Sequence, residues 1–190
     1  MDEELRSLTE RLRRESGATP AFEHLAASGE GELAQVLTAP GQPLWARELA
    51  AFRLGLAGDR RAFESLVLLL NHRDPQRCAS AAHALARLGD PRTARAAAAL
   101  ATNELRVAYA LHPVRLLVEL RAPESAPALI TTLERRLRPH DPHRRVALAC
   151  VEGLGALGDP RARTVLNEAL AHPVLAQAAV RALARIPRPR

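Results

Sequence analysis

Three arginines recur at one fixed spacing: Arg61, Arg92 and Arg161 each stand two residues after an aspartate, at Asp59, Asp90 and Asp159. A guanidinium offers a planar fork of donors that matches phosphate or carboxylate oxygens in pairs. Three such groups at the starts of helices, where unpaired backbone N–H groups add partial positive charge, would form an anion-binding rim. Arg95 and Arg163 follow two of them within a turn and extend the set. Its ligand would be an acidic peptide segment or a run of phosphates. The plain alternative is a solvated repeat residue paired with a nearby carboxylate, a contact worth about 0–1 kcal/mol when exposed. A second basic set, Arg135, Arg136, Arg138, His140, His143, Arg144 and Arg145, surrounds an unusually long connection. It reads as a functional loop or as a solvated insertion.

Other chemistry finds less support. His140-Asp141-Pro142-His143 has the residue types of a metal site, yet Pro142 is expected to start a helix and no further ligands follow at suitable spacing. His72 and His172 fall at helix ends, where an imidazole can meet the last carbonyls. Cys78 and Cys150 lie far apart inside apolar stretches, which reads as two buried thiols. Glu48, Glu119 and Glu152 occur singly on helices and form no acid/base pair. No nucleophile motif or phosphate-cradling glycine loop is present. The site prediction therefore contains the five arginines only, with no catalytic residue, metal or cofactor.

These residues need elements to position them, and composition limits the choice. Hydrophobic residues make up 47% and aromatics 3%, and Ala and Leu far outnumber Val and Ile. That balance favours helices over sheets. The net charge is +6 and no Lys occurs, so all 27 basic residues are Arg. A coding bias toward GC-rich codons explains this as well as an anionic partner does. The charged N-terminus is not a signal peptide, and no stretch is long and apolar enough for a membrane span. A cytoplasmic location follows as the expectation.

Internal repetition supplies the architecture. Residues 54–72, 85–103 and 154–172 align without gaps, and 117–137 joins as a degenerate copy with Ala122-Pro123 in place of Asp90-Pro91. Leu54, Leu85, Leu117 and Leu154 share one column, and Ala50, Ala81 and Cys150 another. On the second helix Ala62, Phe63, Leu66, Val67 and Leu70 form one face. The turn between them has a mechanism: Gly89 or Gly158 ends a helix in the left-handed conformation, the Asp caps the next, and Pro91 or Pro160 opens it. Asp74-Pro75 and Asp141-Pro142 repeat the cap-then-proline logic between hairpins. Gly153-Leu154-Gly155, inside a helix, predicts close helix packing. The chain is thus expected to be one domain over 1–190. Irregular capping helices fill 1–40 (1–15, 19–27 and 30–38), and helix pairs cover 43–72, 75–102, 104–138 and 142–171. A last helix follows at 173–186, and the IPRPR tail is expected to fray.

The runs ALARLGDPRTARAAAAL (84–100) and GLGALGDPRARTVLNEAL (153–170) resemble the HEAT-like repeat family, in particular the short units of phycobiliprotein bilin lyases. The resemblance covers 43–186 and implies an all-α, right-handed α-solenoid whose second helices line a concave face. It does not imply an activity, because the repeat serves adaptors, scaffolds, enzyme partners and a few enzymes. No bilin-binding motif is visible. Trp45 and Tyr109 poorly match the aromatic cleft of the HEAT-like alkylpurine DNA glycosylases. The reading is a non-enzymatic protein-interaction module or scaffold that grips a protein partner, acidic in one version, on its second-helix face. The alternatives are a nucleic-acid-associated protein using the arginine rim, or an enzyme accessory subunit.

Overall fold

The computed structural model describes residues 3–187, and among them there is no β-strand. Twelve α-helices follow in order: α1 Glu3–Glu15, α2 Pro20–Ala27, α3 Glu30–Thr38, α4 Leu44–Leu56, α5 Phe63–Leu70, α6 Pro75–Leu88, α7 Thr93–Ala101, α8 Leu111–Leu120, α9 Ser125–Arg136, α10 Arg144–Leu157, α11 Arg163–Ala169 and α12 Pro173–Arg185. From α4 onward they form the helical hairpins expected of an α-solenoid of short repeats. The chain divides into two compact units, Met1–Thr93 and Ala94–Arg190.

In the first unit α4 and α6 lie side by side as first helices, with α5 packed against both. The predicted columns are core: Leu54, Leu85, Ala50 and Ala81 are all buried, as are Ala62, Phe63 and Leu66 on the second-helix side. The Cα of Gly55 sits so near α5 and α6 that an added Cβ would lie 2.9 Å from Leu66 Cδ1 and 3.0 Å from Ala84 Cβ. Helices α1, α2 and α3 cover the free side of α4.

In the second unit α10 is central and packs against α8, α9 and α12. Leu117, Leu154 and Cys150 are buried in the predicted columns. The close packing expected of Gly153-Leu154-Gly155 is present: a Cβ on Gly155 would stand 2.7 Å from the Cα of Ala182 on α12.

The turns follow the predicted mechanism except at the prolines: α7 starts at Thr93, two residues after Pro91, and Pro160 opens a short 3-10 turn ahead of α11. Gly89 and Gly158 end α6 and α10 with φ of 65° and 71°. Asp59, Asp90 and Asp159 each accept the backbone N–H of the residue two positions on, at 2.9–3.0 Å. The degenerate hairpin keeps the shape with other residues. Arg121 takes the left-handed position, φ 50°, and the buried Ser125 hydroxyl accepts from the Ala122 N–H while donating to the Leu117 carbonyl.

Three further expectations need correction. Pro142 does not start a helix; α10 begins at Arg144. Asp141 instead accepts the His143 N–H at 2.8 Å and pairs with Arg136 at 3.0 Å, so its carboxylate is committed to the connection rather than to a cap. The His72 ring does not meet the last carbonyls of α5, because its Nδ1 accepts the Asp74 N–H at 3.0 Å. Fraying does not begin at Ile186, whose side chain is buried and whose carbonyl accepts from Arg163 at 3.3 Å. Residues 188–190 of that tail lie outside the described residues.

Candidate functional site

Arg61 and Arg92 belong to the first unit, and Arg95, Arg161 and Arg163 to the second. At all three turn positions the guanidinium folds back on the aspartate two residues before it. Arg61 Nη2 meets Asp59 at 2.5 Å, Arg92 Nη2 meets Asp90 at 3.0 Å, and Arg161 Nη2 meets Asp159 at 2.6 Å. The same carboxylate accepts the arginine's backbone N–H, so one side chain caps the helix and neutralises the cation together. Arg92 is held further by Glu64 at 3.1 Å and by the Phe63 ring, whose centroid lies 3.9 Å from its Cζ. The side-chain hydrogen bond from each arginine, outweighing partial burial and helped by the backbone N–H, holds Asp59, Asp90 and Asp159 below the usual carboxylate range.

This geometry changes what the column offers an anion. The backbone N–H groups expected to meet a ligand are already taken by the cap. The three exposed guanidinia enter any interface as members of charge-compensated pairs. Arg163 is half-buried and spends a donor on Ile186. Arg95 alone of the five is exposed and meets no polar partner among the described residues.

The second basic set divides in the same way. Arg136 is buried and bridges Asp141 at 3.0 Å and Glu104, ahead of α8, at 2.7 Å, which ties the connection that follows α9 to the one that precedes α8. Arg135 donates to the Thr102 carbonyl at 2.8 Å and to Glu104 at 3.3 Å. Arg138, His140 and Arg144 stay exposed beside a cavity of about 160 Å³ that His172 also lines. Cys78 and Cys150 are both free and buried, and burial pushes the Cys150 thiol up to about 12.

On the second-helix side of the second unit, α7 and α9 enclose a shallow trough of about 450 Å³ between Ala98, Pro127, Ala128 and Thr131, with Glu124 at one end. Its floor is small and aliphatic, and α7 and α9 are joined beside it by the Thr132 hydroxyl donating to the Ala101 carbonyl at 3.2 Å. No group of three or more His, Cys, Asp or Glu able to hold a metal occurs among the described residues. No helix among them is long and apolar enough to cross a membrane.

Sequence reasoning missed one charged cluster entirely. Glu48, on α4, has a side chain 2% exposed and holds Arg11 of α1 at 2.5 Å and Arg77 of α6. Arg77 reaches on to Glu15 at 2.6 Å. The partners are 29 to 62 residues apart in sequence, so no local spacing reveals them. Its role is to fasten α1 to the repeat helices.

Residues 146–172 match the family of PBS lyase HEAT-like repeats. The match spans α10, the Gly158-Asp159-Pro160 turn and α11, the most regular hairpin in the second unit. No curated protein matches the chain. A HEAT-like repeat helical protein has a fold commonly used for protein–protein interaction.

Proposed function

We propose that the chain is a non-catalytic protein-interaction module, one domain in the cytoplasm, that receives a helix or an acidic segment of a partner on its second-helix side. The observation that carries this reading is the trough between α7 and α9. It is an open surface of Ala98, Pro127, Ala128 and Thr131 that can take apolar side chains without a titratable pair inside it. Small side chains let a partner backbone approach closely, and polar rim residues then orient it. Arg95, Arg161 and Arg163 are the rim residues of this reading in the second unit, with Arg95 free to pair with a partner carboxylate, and Arg61 and Arg92 take the same proposed role on the second-helix side of the first unit. The two free buried thiols fit a reducing compartment.

The test is capture of partners from the native host by the intact chain and by an Ala98→Arg/Thr131→Arg variant, which blocks the trough and leaves every turn pair in place. Loss of the captured proteins at unchanged thermal stability is expected. The same set captured by both forms overturns the assignment of this face. Duplex DNA bound with affinity falling steeply between low and moderate salt would favour a nucleic-acid role instead.

A further inference from the structure

A different surface of the second unit holds arginines whose charge is not spent. Arg115 on α8, Arg145 on α10 and Arg185 at the end of α12 are all exposed. They converge on a groove of about 430 Å³ along the first helices. None makes a hydrogen bond or an ion pair with a described residue. Glu152 lines the same groove and is exposed, yet it stands beyond ion-pair distance of all three. The floor is aliphatic, made by Leu111, Val118, Leu148 and Ala149, each only partly covered.

The imidazole of His112 senses this charge. Burial first, then the nearby Arg115 and Arg145 cations, hold it below the usual histidine value. Like charges gathered without a counter-ion raise the local potential and favour an anionic partner. Aliphatic floor area between the cations selects against a bare phosphate backbone, because base recognition of single strands relies on aromatic stacking, and no aromatic residue lines the groove. Glu152 would repel phosphate further, while it can accept a backbone N–H from a peptide.

We infer that this groove is a second docking site, distinct from the second-helix trough, for an acidic peptide segment in which aliphatic side chains alternate with carboxylates. The aliphatic groups lie on Leu111, Val118 and Leu148, and the carboxylates reach Arg115, Arg145 and Arg185. An open groove of this size takes a few residues rather than a long helix, which points to an extended segment.

The probe is a fluorescein-labelled ten-residue peptide of alternating Glu and Leu, followed by anisotropy with the full chain at about 50 mM salt. Saturable binding is expected, weakened about tenfold or more by Arg115→Gln with Arg145→Gln, since both lost cations face the carboxylates of the peptide. Ala149→Phe, which fills the floor and keeps every charge, should weaken binding as well. Arg6→Gln with Arg73→Gln removes the same charge from exposed positions outside both sites and should leave affinity within twofold. The His112 ring, followed by NMR, should titrate at higher pH in the bound state. Four results would overturn the proposal: equal binding of the Gln-Leu control peptide, equal loss in the Arg6/Arg73 variant, no effect of Ala149→Phe, or duplex DNA displacing the probe as effectively as unlabelled peptide. Because the trough variant Ala98→Arg/Thr131→Arg should bind this peptide normally, failure here and failure of the second-helix reading are told apart.

Discussion

The two units depart from the regular repeat in different places, and each mends its departure with a buried ionic bridge of opposite sense. In the first unit the irregular part is α1, and a buried carboxylate, Glu48, gathers two arginines to fasten it. In the second the irregular part is the connection 137–143, and a buried arginine, Arg136, gathers two carboxylates. The surroundings differ more than the count of contacts. Glu48, Arg77 and Arg11 have side chains 2%, 8% and 16% exposed, whereas Glu104, one of the two partners of Arg136, is 48% exposed. The Glu48 bridge opens to water only at the outer partners of Arg77, such as Glu15, so breaking its buried centre leaves most of the charge buried; the Arg136 bridge opens at Glu104 itself and can resolvate. The first unit should therefore depend on its bridge more than the second does.

The largest effect tests that dependence. Glu48→Gln keeps the shape and removes the buried carboxylate between Arg11 and Arg77; because Arg77 keeps Glu15 at 2.6 Å, the chain should be destabilised by about 3 kcal/mol in urea denaturation, the low end for a broken buried bridge. Arg136→Met, which frees one half-exposed and one buried acid, should cost about 2 kcal/mol. Near 1 M NaCl the Arg136→Met penalty should shrink while the Glu48→Gln penalty holds, since screening reaches only the open bridge. Equal penalties, or equal salt response, would break the comparison.

Acid offers a finer separation. The first unit has two turn aspartates, Asp59 and Asp90, and the second has Asp159 with Ala122 in the degenerate place. Their folded pKa values are depressed by the arginine hydrogen bonds. Stability from such groups is fully present above the unfolded carboxylate value near about 3.9 and is lost as pH falls through the lower folded values. Acid should thus cost the first unit two turn pairs and the second one over the same pH range, a larger loss in the first unit. Amide exchange near the two sets of turns between about pH 5 and pH 2 checks this, and Asp90→Asn should flatten the first unit's response. Each lost cap is worth about 1 kcal/mol.

Much of this was legible in the chain. The columns Leu54, Leu85, Leu117 and Leu154, the turn aspartates and the helix ends at Gly89 and Gly158 follow from local spacing, which a repeat imposes on every copy, whereas α8 begins only at Leu111, after a 3-10 turn over Glu104–Tyr109, and α10 only at Arg144. The three turn arginines were legible as positions, with pairing to a nearby carboxylate as the alternative to anion binding, but the fold-back onto Asp59, Asp90 and Asp159 depends on side-chain torsions that spacing does not encode. Glu48 was read as a single carboxylate on a helix, since its partners come from α1 and α6. Arg115 and Arg185 share no repeat column with Arg145, so only the packing of α8, α10 and α12 brings them to one groove. Asp141 misled for a physical reason: a carboxylate that can cap a helix is equally suited to Arg136, and the buried cation has the stronger claim on it.

The smallest expected change concerns the degenerate hairpin, and its sign is opposite. Arg121 occupies the left-handed position that Gly89 and Gly158 fill in regular copies. A side chain there suffers the crowding of Cβ against the carbonyl oxygen, about 1 kcal/mol or slightly more. Arg121→Gly removes that strain but frees the unfolded chain, which offsets about 0.4–1 kcal/mol. The net expectation is a gain near 0.5 kcal/mol, provided the exposed guanidinium contributes nothing else. Gly158→Ala introduces the same strain, partly offset by the reduced freedom of the unfolded chain, and should lose about 0.5 kcal/mol. If Arg121→Gly destabilises instead, the arginine makes a contribution in the second unit beyond holding a turn, and the proposed mending by Ser125 and Arg136 is incomplete.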